Sequence, residues 1–186
     1  MLPGIVPPRT SPMLKSLIRT IPHYPRPGVM FRDITTLLKD PVGFRLTIGE
    51  LKKRYAGRKI LKIAGIESRG FIIGAALAYD LGAGFVPIRK RGKLPGQTIG
   101  ADYELEYGAD RVEMHVDAVS RGEQILLVDD LVATGGTAEA AVRLIQEAGG
   151  EVTECCFVIE LPELGGRKRL EALGLSVFAL VEFEGE

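Results

Sequence analysis

From residue 59 onward the chain repeats one pattern, a short apolar run followed by a stretch of helical spacing. "KILKIAGI" (59–66), "GFVPIR" (84–89), "ILLVDD" (125–130), "EVTECCFVIE" (151–160) and "SVFALVEF" (176–183) are the apolar runs. "GFIIGAALAYDLG" (70–82), "GTAEAAVRLIQEAGG" (136–150) and "LGGRKRLEALG" (164–174) are the helical ones. Apolar strands alternating with helices build a parallel sheet covered on both faces. At 186 residues the chain can bury one proper core, so the pattern predicts a single α/β domain with a mostly parallel central sheet. Upstream, Leu14, Leu17 and Ile18 predict a helix within 13–20 that stops before Pro22, and a second amphipathic helix runs over 46–55. The stretch 98–117 breaks the alternation. Its period of two around Gly108 predicts an antiparallel hairpin standing off the main sheet.

In open parallel sheets the ligand site lies beyond the carboxyl ends of the strands. Three strand ends here bring polar groups to that edge: Glu67-Ser68-Arg69, Arg89-Lys90-Arg91 and Asp129-Asp130. The last is followed by Ala133-Thr134-Gly135-Gly136-Thr137 and then a helix. Alone, "TGGT" is also an ordinary helix start, since Thr is a good cap. After an apolar strand ending in two acids it is more specific. Glycines let backbone N–H groups turn inward, and a helix N-terminus favours a phosphate. No Gly-Lys-Ser/Thr follows, so this is not a P-loop, and no G-x-G-x-x-G accompanies it. A phosphate beside two carboxylates points to a sugar phosphate, with the acids accepting from its hydroxyls.

Composition removes several alternatives. The 24 basic and 24 acidic side chains cancel, so no global field draws the chain to nucleic acid or to an anionic membrane. Cys155 and Cys156 adjoin in an apolar run, which fits buried thiols in a reduced cytoplasmic protein. His23 and His115 match no metal-ligand spacing and are read as structural or exposed. The proline-rich residues 1–12 lack the features of a signal peptide and are expected to be a loose extension of a domain spanning 13–186.

"ILLVDDLVATGGTAEAA" (125–141) closely resembles the signature of the type I phosphoribosyltransferases, which bind 5-phosphoribosyl-1-pyrophosphate. "YPRPGVMFRDIT" (24–35), "GIESRGFIIGAALA" (65–78), "VPIRKRGKLPGQT" (86–98) and "YELEYG" (103–108) look like the adenine-using members of that family, in the family's order. The match runs from about residue 14 to the end. The resemblance implies the family's fold, with a small hood and a flexible hairpin beside the sheet. It also implies that Asp129 and Asp130 meet the ribose hydroxyls and that Ala133, Thr134, Gly135, Gly136 and Thr137 hold the 5-phosphate. Ser68 and Arg69 would hold pyrophosphate in a loop with a strained peptide that can be cis, and Arg89 and Lys93 would clamp the same group. Phe31 and Leu131 would enclose the purine, while backbone groups near Met30 and Arg32 read its edge.

The implied reaction displaces pyrophosphate from ribose C1 by adenine N9, giving AMP. Mg²⁺ would travel with the substrate, with no direct protein ligand expected. In "YELEYG" spacing alone does not choose between Glu104 and Glu106, which share a face of an extended segment. The resemblance assigns the catalytic acid to Glu106, before Tyr107-Gly108, with Tyr103 and Tyr107 helping to exclude water. A homodimer is implied by the family alone. Two alternatives stay open at this point: a sensor of the ribosyl pyrophosphate that does not turn it over, and an enzyme for another purine.

Overall fold

A computed structural model describes residues 12–105 and 108–185. The chain opens with α1 (Pro12–Ser16), β1 (Arg19–Pro22), β2 (Met30–Asp33), α2 (Thr35–Lys39) and α3 (Pro41–Tyr55). The first expected helix is cut short, because Arg19–Pro22 is strand. β1 and β2 form an antiparallel ribbon with Arg19 opposite Asp33. The Arg19 guanidinium pairs with the Asp33 carboxylate, and the Arg19 N–H donates to Thr36 Oγ1 at 3.2 Å. These long-range bonds override the helical spacing, although Leu14 and Ile18 are buried as that spacing requires. α3 starts five residues before the expected 46, where the Asp40 carboxylate accepts from Gly43 N at 2.6 Å and Pro41 takes the first turn.

The main body follows in order: β3 (Lys62–Ile66), α4 (Arg69–Leu81), β4 (Gly84–Lys90), β5 (Thr98–Leu105), β6 (Gly108–His115), β7 (Gln124–Val132), α5 (Gly136–Glu147), β8 (Glu151–Glu160), α6 (Gly166–Glu171) and β9 (Ser176–Glu182). The seven strands lie in the order β5-β6-β4-β3-β7-β8-β9. The run from β4 to β9 is parallel. Successive residues of β7 serve opposite faces: Ile125 and Leu127 pack with α5, while Leu126 and Val128 pack with α3 and α4. That is why "ILLV" is apolar throughout.

The hairpin corrects one expectation. β6 pairs with β4 through Arg89 with Glu113 and Lys90 with Val112, so the hairpin extends the sheet instead of standing off it. Tyr103, Val112 and Met114 are buried in the α5 side of the core, and that burial holds the hairpin down. Chain direction across the sheet reverses between β3 and β7, since β4 lies on one side of β3 and β7 on the other. A crevice outside the strand ends is expected at such a reversal.

Candidate active site

At the reversal, the ends of β3 and β7 meet. The Glu67–Ser68 peptide is cis. Ser68 then caps α4 without a side-chain bond, leaving its hydroxyl out of the helix start. Gly70 has no side chain for a reason of space: a Cβ there would stand 2.8 Å from Asp129 Oδ1 and 2.9 Å from the Val128 carbonyl oxygen. The start of α4 therefore lies directly against the end of β7. Across this contact Arg69 Nε donates to Asp130 Oδ2 at 2.6 Å.

The two acids are not equivalent. Asp130 is buried and carries the ion pair. The Asp129 carboxyl is held well above the usual carboxylate range, first by burial and then by the charge of Asp130 beside it. Asp130 N also donates to Asp129 Oδ1 at 2.8 Å. Burial pushes the Arg69 guanidinium down, yet Asp130, Asp129 and more distantly Asp33 raise it overall.

A second cluster forms at the end of β4. Arg89 Nε lies 3.2 Å from Glu67 Oε2, and the Lys90 N–H donates to the same oxygen at 3.1 Å. Arg89 Nη1 donates to the Lys93 carbonyl at 2.9 Å, which brings the two predicted cations together. Burial would raise the Glu67 carboxyl, but the Lys90 N–H and the charges of Arg89 and Lys93 keep it below its ordinary value. Lys90 Nζ reaches Asp110 Oδ2 at 3.1 Å, and Tyr103 OH donates to that oxygen at 3.0 Å. Tyr103 is buried in the same core as Ala138 and Ala141 of α5. One chain of contacts thus links the β4 cations to the first turn of α5.

The loop before α5 is not an ordinary Thr cap. Gly135, at φ 79°, is the N-cap, and no side chain bonds the helix start. Thr134 is exposed, and Ala133 and Thr137 are partly so. The first N–H groups of α5 are therefore left for something other than a capping side chain.

On the hood, Phe31 is half-buried and edge-on to Tyr24, with ring centroids 5.1 Å apart. The Arg32 side chain points into the scaffold: Nη1 donates to Thr20 Oγ1 at 2.6 Å, Nη2 to the Glu184 carbonyl at 2.8 Å, and the guanidinium lies over the Phe183 ring. Only its backbone is left for a ligand. β2, which holds Met30 and Arg32, has β1 as its one strand neighbour among the described residues, so its other edge presents backbone groups. Leu131 is half-buried on β7. Glu106 and Tyr107 lie outside the described residues. His23 Nδ1 accepts from Gly28 N at 3.2 Å and His115 Nε2 lies 2.8 Å from the Pro95 carbonyl, so both histidines serve loop structure.

Sequence reasoning placed Glu67 and Lys90 at the strand-end edge without giving them a role, and passed over Asp33, Gly70 and Asp110. The last three depend on contacts across the fold. A separate cavity of about 180 Å³ opens at the amino end of β7, and its buried acid, Glu154, is already held by Arg54, Arg58 and Tyr55. The strand-end cluster is the better candidate.

The sheet order and these strand-end loops define a phosphoribosyl transferase domain, and the family profile of that description matches residues 38–179. The chain belongs to the adenine phosphoribosyltransferase family. It is 70% identical over 172 residues to the adenine phosphoribosyltransferase of Nitrosospira multiformis, covering 92% of this chain and 98% of that one. The Saccharomyces cerevisiae enzyme, crystallised with adenine and an imino-altritol bisphosphate, is 40% identical, with a TM-score of 0.85 and 91% and 97% of the two chains covered. The Trypanosoma brucei enzyme, in complex with AMP, pyrophosphate and ribose 5-phosphate, is 25% identical at a TM-score of 0.85, covering 94% and 79%.

Proposed function

We propose that this protein forms AMP and pyrophosphate from adenine and 5-phosphoribosyl-1-pyrophosphate. The observation that carries the reading is the Arg69–Asp130 contact at the sheet reversal, flanked by the uncapped start of α5. Adenine, bound in the yeast relative, is a substrate of this reaction, and AMP and pyrophosphate, bound in the trypanosome relative, are its products.

In the reaction the C1–O bond to pyrophosphate breaks, its electron pair leaves with pyrophosphate, and a C1–N9 bond to adenine forms. Positive charge grows on the sugar while negative charge grows on the leaving group. Backbone N–H groups of Ala133 to Thr137 hold the 5-phosphate, and the Asp130 carboxylate accepts from a ribose hydroxyl. Ser68 and Arg69 on one side, and Arg89 and Lys93 on the other, meet the pyrophosphate where its charge develops. A Mg²⁺ ion held by the substrate would supply charge stabilisation to the leaving group. Of the chain's own residues, Asp129 and Asp130 are the carboxylates that would stand beside such an ion. Phe31 and Leu131 flank the purine, β2 backbone groups near Met30 and Arg32 read N1 and N6, and Glu106 manages the proton lost from the purine. The family supports a homodimer and a cytoplasmic setting; no helix among the described residues is long and apolar enough to cross a membrane.

Purified protein given ribosyl pyrophosphate and Mg²⁺ should release pyrophosphate and AMP with adenine, and far less product with hypoxanthine. Equal rates with hypoxanthine would reassign the base. Sugar binding with no pyrophosphate release on any purine would make the protein a sensor.

A further inference from the structure

The loop read above as the phosphate holder rests on a second loop, the one that opens α6. Gly166 N donates to the Ala133 carbonyl at 2.9 Å, and Leu161 N donates to the Val132 carbonyl at 3.0 Å. The backbones touch. A Cβ on Gly166 would stand 2.4 Å from the Ala133 oxygen, 2.7 Å from Val132 Cγ2 and 3.0 Å from Gly135 N. In return, a Cβ on Gly135 would stand 3.0 Å from both Cα and O of Gly166. Gly166 does not have a positive φ, so close approach alone accounts for the missing side chain there.

The supporting side of this contact is anchored. Arg167 Nε donates to Glu160 Oε1 at 2.7 Å and its Nη1 to the Val177 carbonyl at 2.6 Å, fixing α6 to β8 and β9. Glu160 is 2% exposed. Arg169 pairs with Glu139, whose own N–H donates to the Gly135 carbonyl at 2.9 Å. Between an anchored helix start and an open loop, it is the loop that yields.

We infer that Gly166 is a positioning residue for the 5-phosphate, acting through the Ala133–Gly135 backbone without touching substrate. The inference rests on the proposed function for the identity of the ligand. A methyl group at 166 has to push the Ala133 carbonyl back by well over half an ångström and tilt the N–H groups that follow it. Misplacement of about 1 Å in a binding group can cost roughly 100-fold.

The neighbouring glycine supplies the control. Gly165 has φ 76° and open space around its missing Cβ, so alanine there strains α6 without entering the phosphate loop. Binding of ribose 5-phosphate, KM for each substrate and Tm are compared for wild type, Gly166→Ala and Gly165→Ala. Gly166→Ala should weaken ribose 5-phosphate binding and raise KM for the ribosyl pyrophosphate at least about tenfold. KM for adenine should move less than about threefold. Gly165→Ala should lower Tm and leave ribose 5-phosphate affinity within about twofold, as strain without displacement implies. Wild-type affinity in Gly166→Ala, or equal losses in both variants, overturns the inference. If Gly166→Ala does not fold, Arg169→Gln loosens α6 from α5 without adding bulk. It should weaken ribose 5-phosphate binding two- to fivefold, roughly the worth of one exposed ion pair, and unchanged binding overturns the inference. Wild-type protein that binds ribose 5-phosphate but makes no AMP would sink the catalytic reading and leave the role of Gly166 standing.

Discussion

Arg69, the first residue of α4, and Asp130, near the end of β7, form one ion pair with Nε 2.6 Å from Oδ2. The cation assigned to pyrophosphate and the carboxylate assigned to ribose are therefore joined in the protein itself. Each fixes the other's position, so the proposed acceptor and donor are aligned with no ligand bound.

This pairing gives the first prediction. Asp130→Asn keeps the shape and removes the charge that both Arg69 and the ribose hydroxyl use. A hydrogen bond to a charged group contributes about 1.5–3 kcal/mol, so kcat/KM for the ribosyl pyrophosphate should fall roughly ten- to 150-fold. Steady-state kinetics checks it. An unchanged value would return Asp130 to a purely structural role.

Gly70→Ala tests the packing beneath that pair. The new methyl would meet Asp129 Oδ1 at 2.8 Å and backbone oxygen at 2.9 Å, and backbone cannot step aside as a flexible side chain can. Overpacking of this kind costs about 1–3 kcal/mol, or very roughly 2–10 °C in Tm for a chain of this size. Activity should fall further than stability predicts, because Asp129 is pushed at the same moment. A thermal melt and a rate measurement on one preparation separate the two effects.

Acid should act on the hood through Asp33. Burial pushes its carboxyl up, but the Arg19 guanidinium and the hydroxyl and N–H of Thr35 outweigh burial and bring it to about 2. A folded value below the ordinary 3.8 means a contribution that is complete above about pH 4 and lost as pH falls towards 2. Wild type should therefore be more stable than Asp33→Asn at neutral pH, and the gap should close between about pH 4 and pH 2. Denaturant melts of both proteins across that range provide the check. A gap that persists at pH 2 would assign the stabilisation to shape instead of charge.

What could be read in the sequence was local. "ILLVDD" and "CCFVI" announce strands because both faces of β7 and β8 are covered, and Asp129, Asp130 and Gly135 stand in order along a few residues. Arg89 and Glu67, 22 residues apart, meet because parallel pairing sets β3 beside β4, and no local pattern encodes that contact. The same holds for Gly166 under Ala133. Arg19 and Thr20 fall inside the expected helix because the spacing of Leu14, Leu17 and Ile18 is helical, while their partners lie on β2 and at Thr36. The edge proposed to read the purine stayed illegible for another reason: backbone groups carry no residue signature. The Arg32 side chain serves the scaffold.

The last prediction concerns the proton on adenine. Attack by N9 places positive charge on the purine, and a carboxylate near N7 can accept a proton or steady that charge. Glu104 and Glu106 are the acids of this segment; Glu106 lies outside the described residues, as does the Glu104 side chain. The described part of the hairpin is nevertheless tied to the start of α5, since Tyr103 bonds Asp110 and packs in one core with Ala138. Family resemblance selects Glu106, the acid before Tyr107-Gly108. Glu106→Gln should lower kcat by roughly 10²–10⁴, the range for a positioned acid–base group, with ribose 5-phosphate binding nearly intact. Glu104→Gln should be mild by comparison. Single-turnover rates with saturating adenine decide between them. A reversed ranking would move the catalytic role to Glu104, and two mild variants would leave the hairpin as a cover over chemistry performed elsewhere.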